Sequence, residues 1–234
     1  MFVFFENEVK ELTETIKEIS KERKLDMYSY TKLLEMLNAG KLEELRNMLE
    51  ANIREEAAKK GGNKKPLTII NSMMKAVKND ERMYNKAKLL KDGRFAFIDG
   101  HRIFIADIDF GFKHMEDDEL QLVNDFLNTD FDSELEINMQ DVKERIALNK
   151  ANKTNEPYIV KFDDYIVAMS PGFAKDLVDY TGNTKLKYMK KTNSEHHCQL
   201  NPLFSVDENG KVVAVILPVF VANSLQEKYE KEVS

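Results

Sequence analysis

Three observations predict an α+β fold, with a helical N-terminal region followed by one mixed domain. Apolar residues recur at helical spacing over 6–60. After Pro66 the pattern changes to short apolar runs broken by Asp-Gly pairs. The order helix, strand, strand, strand then occurs twice, once over 66–109 and once from Ser170 to Val221.

Val9, Leu12, Ile16 and Ile19 line one stripe, and Leu42, Leu45, Leu49 and Ile53 line another. Between them Thr31 to Leu37 is expected as a short third helix, with Ser29 or Tyr30 just outside its start and Gly40 stopping it in a left-handed cap. Gly61-Gly62 ends the long helix, and Asn63 to Pro66 reads as a linker. A helix over about Ile69 to Lys78 leads into strands at Asn85 to Leu90, Arg94 to Ile98 and Arg102 to Asp107. Asp92-Gly93 and Asp99-Gly100 separate them as tight turns, because both residue types tolerate positive φ. The acidic stretch 114–141, with Leu120, Val123, Phe126 and Leu127, reads as a surface helix, a loop or a shield over a basic face. Met139 to Lys150 is a helix with Val142 and Ile146 inward.

Strands follow at Tyr158 to Phe162 and Tyr165 to Met169. Ser170 and Pro171 start a helix over Phe173 to Tyr180 that Gly182 stops. Lys185 to Lys190, Cys198 to Val206 and Lys211 to Val221 are the last strands, with Asp207 to Gly210 turning between the final two. The implied domains are 1–65, 66–222 and a segment 223–234.

Composition narrows the function classes. With 234 residues, 42% hydrophobic and 32% charged, the chain can build a real core. The 14 Phe and 8 Tyr carry the aromatic packing in the absence of Trp. The single Cys198 cannot form an internal disulfide, and the N-terminus has no secretory pattern, so a cytoplasmic location is expected. The longest apolar run, Val212 to Val221, is about half of a membrane span. Net charge is −6, yet 114–141 holds 10 acidic and no basic residues, so the remainder is net basic.

The run Phe97-Ile98-Asp99-Gly100-His101-Arg102-Ile103 resembles the Ala-Thr-Asp-Gly-His-Arg-Leu signature of bacterial DNA polymerase sliding clamps. The segment from Tyr165 through Pro171, Lys175, Leu177, Leu186, Asn201-Pro202-Leu203 and Val215-Ile216-Leu217-Pro218-Val219 is similar to the end of the clamp's final domain. The resemblance covers about 66–222 as a single clamp-like domain of two half-units, while residues 1–65 match nothing in that family. Ile98 stands for the family's Thr and Leu217 for its Met, and the chain runs 16 residues beyond Pro218. A ring of this family uses six domains, and this chain offers one.

The resemblance implies a non-catalytic replication factor that contacts duplex DNA without reading bases, or tethers a polymerase, with no cofactor. Lys75, Lys78, Arg82, Arg102 and Lys175 are then the DNA-binding candidates. The lysines are equally what a solvated helix face carries, and Arg102, beside its Asp-Gly turn, is equally placed to fix the hairpin. Leu177, Pro218, Val219 and Phe220 are implied near an apolar pocket for a partner peptide, or are core. Implied partners are double-stranded DNA, a polymerase or other replication protein, and further copies of the chain; no membrane is involved. An adaptor that keeps the fold without a ring is the alternative. A metal-dependent nuclease is a weaker one, resting on Asp107 and Asp109 sharing one side of a strand. His196-His197-Cys198 lacks the spaced partners that a metal site needs.

Overall fold

The computed structural model describes residues 14, 35–37, 39–77, 86–116, 120–162, 165–189, 200–221, 225, 228, 229 and 231. The expected helix over Val9 to Ile19, the candidates Lys78 and Arg82, and His196 to Cys198 lie outside them. Two compact units divide the chain, 1–61 and 62–234.

In the first unit, Glu35 to Leu37 are helical and end at Gly40, whose φ is +69°. The Lys41 N–H donates to Met36 O and the Gly40 N–H to Leu37 O, the paired bonds of a Schellman cap, as glycine there predicts. Helix α1 (Leu42–Lys60) buries Leu45, Leu49 and Ala58 and ends just before the glycine pair. Lys59 bridges Glu55 and Glu56 one turn back, and these contacts raise its pKa.

The second unit is α+β. Helix α2 runs from Lys64 to Ala76, so Lys64-Lys65-Pro66 is its first turn and not a linker. Proline has no N–H to lose in a first turn, where that group lacks an intrahelical acceptor anyway, and its φ suits the helix. Leu67, Ile70, Met73 and Met74 form the buried stripe, each worth about 1.5–3 kcal/mol in apolar transfer.

Strands β1 (Ala87–Leu89), β2 (Phe95–Ile98) and β3 (Arg102–Ala106) form a meander. Gly93 and Gly100 turn it at φ +86° and +85°, where the sequence places Asp-Gly. Strand β4 (Ser133–Glu136) precedes helix α3 (Met139–Asn152), which Asn138 caps by accepting the Gln140 N–H at 3.0 Å. Then come β5 (Tyr158–Phe162), β6 (Tyr165–Met169) and α4 (Pro171–Thr181), which ends at Gly182 with φ +70°. Strands β7 (Lys185–Tyr188), β8 (Leu203–Val206) and β9 (Val212–Ile216) complete the chain's second meander. The last strand stops at Ile216, short of the expected Val221, because Pro218 offers no N–H to a ladder.

Seven strands make one antiparallel sheet in the order β1-β2-β3-β9-β8-β7-β4, while β5 and β6 pair separately. The two meanders meet at β3 and β9, with Arg102 opposite Ile216, Ile103 opposite Val215 and Phe104 opposite Ala214. The half-unit α2-β1-β2-β3 is therefore matched across this seam by α4-β7-β8-β9.

One sheet face packs on α2 and α4, with the Phe104 and Tyr180 rings 4.5 Å apart. The other face holds Ala96, Ile98, Ile103, Ile105, Phe204, Val212 and Val215. It is closed by a 3-10 helix (Gln121–Asn128), which corrects the expected surface helix: Val123 is buried, and Leu120, Phe126 and Leu127 pack against the core. The buried Asn124 accepts the Lys91 N–H at 3.0 Å, tying this segment to the first turn. Among the described residues, no helix is long and apolar enough to cross a membrane.

Candidate functional site

The Asp99-Gly100 turn sets the geometry around Arg102. Asp99 Oδ1 accepts the backbone N–H groups of His101 and Arg102 at 2.9 and 2.7 Å. Its Oδ2 accepts Arg102 Nε at 2.8 Å and lies 2.7 Å from Nη2. Arg102 Nη1 donates to Asp176 of α4 at 2.6 Å, and the guanidinium lies 4.0 Å from the centre of the Phe173 ring. With Arg102 7% exposed and three of its nitrogens engaged, it locks the hairpin to α4. This corrects its candidacy as a DNA contact, since a phosphate cannot reach a guanidinium held beneath two carboxylates and a ring. Phe173 and Asp176 were not singled out from sequence. Their signal is an i, i+3 pair just after the Ser-Pro helix start, together with an arginine that needs more acceptors than one turn aspartate supplies.

Helices α2 and α4 lie side by side on the same sheet face and flank a groove of about 660 Å³. Lys64, Lys65, Thr68 and Ser72 line it from α2, and Lys175, Asp176 and Asp179 from α4. Helix α2 carries three lysines and no acidic residue. Its exposed stripe Lys64, Thr68, Asn71, Ser72 and Lys75 follows the helical repeat. Lys175, by contrast, donates to Asp179 at 2.5 Å, and Lys65 donates to the other oxygen of that carboxylate at 3.0 Å. The Lys175 hydrogen bond holds the Asp179 carboxyl below its ordinary pKa, with Lys65 adding to the effect, and Asp179 raises the Lys175 ammonium in return. Lys75 and Lys175 are therefore on neighbouring helices, as expected, but the charge of Lys175 is locally offset.

At the far end of β9, Leu217 N–H donates to His101 O at 2.9 Å and Val219 N–H to Ala168 O at 2.8 Å. The chain so crosses from the β2–β3 turn to β6. The His101 and Phe173 rings stack beside this crossing at 6.0 Å. Leu177 is fully buried on α4 and belongs to the core, which corrects its place in a peptide pocket. Pro218 is half-buried, while Leu217, Val219 and Phe220 are exposed, Phe220 by 61%.

The carboxylates singled out for metal chemistry do not share a strand face, because β3 ends at Ala106, before both. Asp109 accepts the Gly111 N–H at 2.7 Å and lies 3.1 Å from His114 Nε2. Among the described residues, no three His, Cys, Asp or Glu side chains converge as metal ligands would.

No family model matches the chain, and no curated protein matches it. Among solved structures, it is similar to a protein of Eubacterium rectale assigned as a DNA polymerase III beta subunit. That likeness has 16% identity and a TM-score of 0.33, over 55% of this chain and 41% of that one. It is also similar to the DNA polymerase III beta subunit of Thermotoga maritima, at 11% identity and a TM-score of 0.26, over 55% and 42% of the two chains. The chain spans about two fifths of the length of these structures.

Proposed function

We propose that this protein is a non-catalytic, clamp-like factor that holds duplex DNA through its phosphates. The observation that carries the reading is the matched pair of half-units across the β3 and β9 seam, which sets α2 and α4 side by side with the lysine stripe of α2 outward. A helix that presents lysines with no acidic neighbour attracts phosphates without reading bases. The proposed contacts are Lys64 and Lys75, with Lys65 and Lys175 weakened by Asp179. Lys78 and Arg82, just beyond the described part of α2, extend the same proposal.

The test is anisotropy titration of a labelled duplex at several salt concentrations. Lys64→Glu plus Lys75→Glu is expected to weaken binding at least tenfold whatever the duplex sequence. Each lost phosphate contact should lower the salt slope by about 1. Unchanged affinity in that variant overturns the DNA reading.

The adaptor reading is favoured by one separate observation, the exposed run Leu217, Val219 and Phe220 beside the His101 and Phe173 rings. Pro218, Val219 and Phe220 then form a docking edge for an apolar peptide of a replication protein. Phe220→Asp should abolish capture of such a peptide and leave DNA affinity unchanged.

A further inference from the structure

The β5–β6 hairpin carries an apolar cluster of its own. Ile159 pairs with Ala168, and Ile166 stands beside them on the same face, because Lys161 pairs with Ile166 and residues two apart share a side. What covers this face comes from the chain after β9: Val221 and Tyr229 are 3% and 4% exposed within the cluster, with Leu200 at its margin. The segment enters through the single backbone bond from Val219 N–H to Ala168 O. Lys228 Nζ then lies 3.4 Å from Glu156 Oε1 and 5.2 Å from the Tyr229 ring centre. Between the two anchors Leu225 is exposed, so the described part of the segment does not bury a continuous stripe. A backbone bond at the entry, two separated side-chain anchors and one ion pair are how a short peptide is held on a domain.

We propose that this face is a peptide-docking surface whose resident ligand is the chain's own 219–229 segment, and that the same segment from a second copy of the chain can take its place. In cis the short tether supplies a high effective concentration, so the resident segment excludes competitors. In trans, reciprocal exchange links two copies without any new contact, the usual economy of a swapped element. None of these contacts involves α2 or its lysines, so the surface stands or falls separately from DNA binding.

The test uses a fluorescein-labelled peptide of residues 219–234, titrated by anisotropy against the full chain. The parent chain, its face occupied, should bind the peptide weakly. The full-length Lys228→Glu plus Tyr229→Ala variant, its own anchors removed, should bind at least tenfold more tightly, and a peptide carrying Tyr229→Ala should lose that gain. Equal affinity of parent and variant overturns the proposal.

Hydrogen exchange on the parent chain supplies a measurement that needs no variant. The amides of 159–168 and those of the 219–229 segment should open together, at denaturant concentrations that leave β2, β3 and β9 protected. Opening of the hairpin face only with the whole seven-stranded sheet overturns an exchangeable ligand.

Discussion

Arg102 carries five N–H donors into a site that water barely reaches, and Asp99 by itself can orient only one edge of that fork. Asp176 takes another edge and Phe173 covers the plane, so the charge is paired, hydrogen-bonded and stacked at once. Removing the arginine leaves two carboxylates facing each other with no cation. Arg102→Ala should therefore cost about 3–5 kcal/mol in denaturant unfolding. While the variant stays folded, its DNA affinity should match the parent's, the result that separates a hairpin lock from a phosphate contact. Tyr180 behaves differently. Burial, with Asp107 nearby, pushes its phenol well above the ordinary value, and its hydroxyl donates to Ile105 O at 2.9 Å. A group whose pKa is raised by folding contributes stability that is present below its unfolded value and is lost as pH rises. The chain should accordingly lose stability above about pH 10. Tyr180→Phe should flatten that alkaline limb while costing about 1 kcal/mol at neutral pH for the lost hydrogen bond.

Among the elements, α3 offers the cleanest test of a local device. Asn138 holds the Gln140 N–H with its side chain and accepts no substitute from its neighbours, so Asn138→Ala should lower stability by about 1 kcal/mol, read by thermal unfolding. Elements marked by backbone chemistry were legible before any coordinates. Both Asp-Gly turns, the Gly40 and Gly182 caps and the Pro171 helix start lie where the residues require them. Strand β4 was missed because only Leu135 of its four residues is buried, and its Glu134 faces Lys187 and Lys185. A strand that shows one apolar residue has no period to read. The start of α2 was misplaced because Pro66 ends helices more often than it sits in their first turn. In the candidate site the lysines of α2 and α4 could be named, but not the Asp179 that offsets two of them. Nor could Asp176, which meets an arginine 74 residues away, since such pairings exist only after the chain has folded.

At the scale of the whole molecule, the small number of available cations sets the strength of any DNA complex. With Lys64 and Lys75 as the principal contacts, log affinity against log salt should fall with a slope of about −2, far from the steep values of proteins that neutralise many phosphates. A closed ring of single clamp-like domains would take six copies. Light scattering is expected to show that mass if DNA is encircled, and a monomeric mass leaves the adaptor reading. The seam between β3 and β9 bears on how this protein comes to exist at all. Arg102 and Ile216 are partners in the ladder although more than a hundred residues separate them, so the middle of the sheet joins only after nearly all of the second unit has been synthesised. Until then the first meander presents β3 as an open edge, rich in Ile and Phe, to every other nascent chain in the cell. The molecule's most central contact is thus the last that translation permits, which sets its folding speed and makes its youth, rather than its mature form, the period of greatest risk of aggregation.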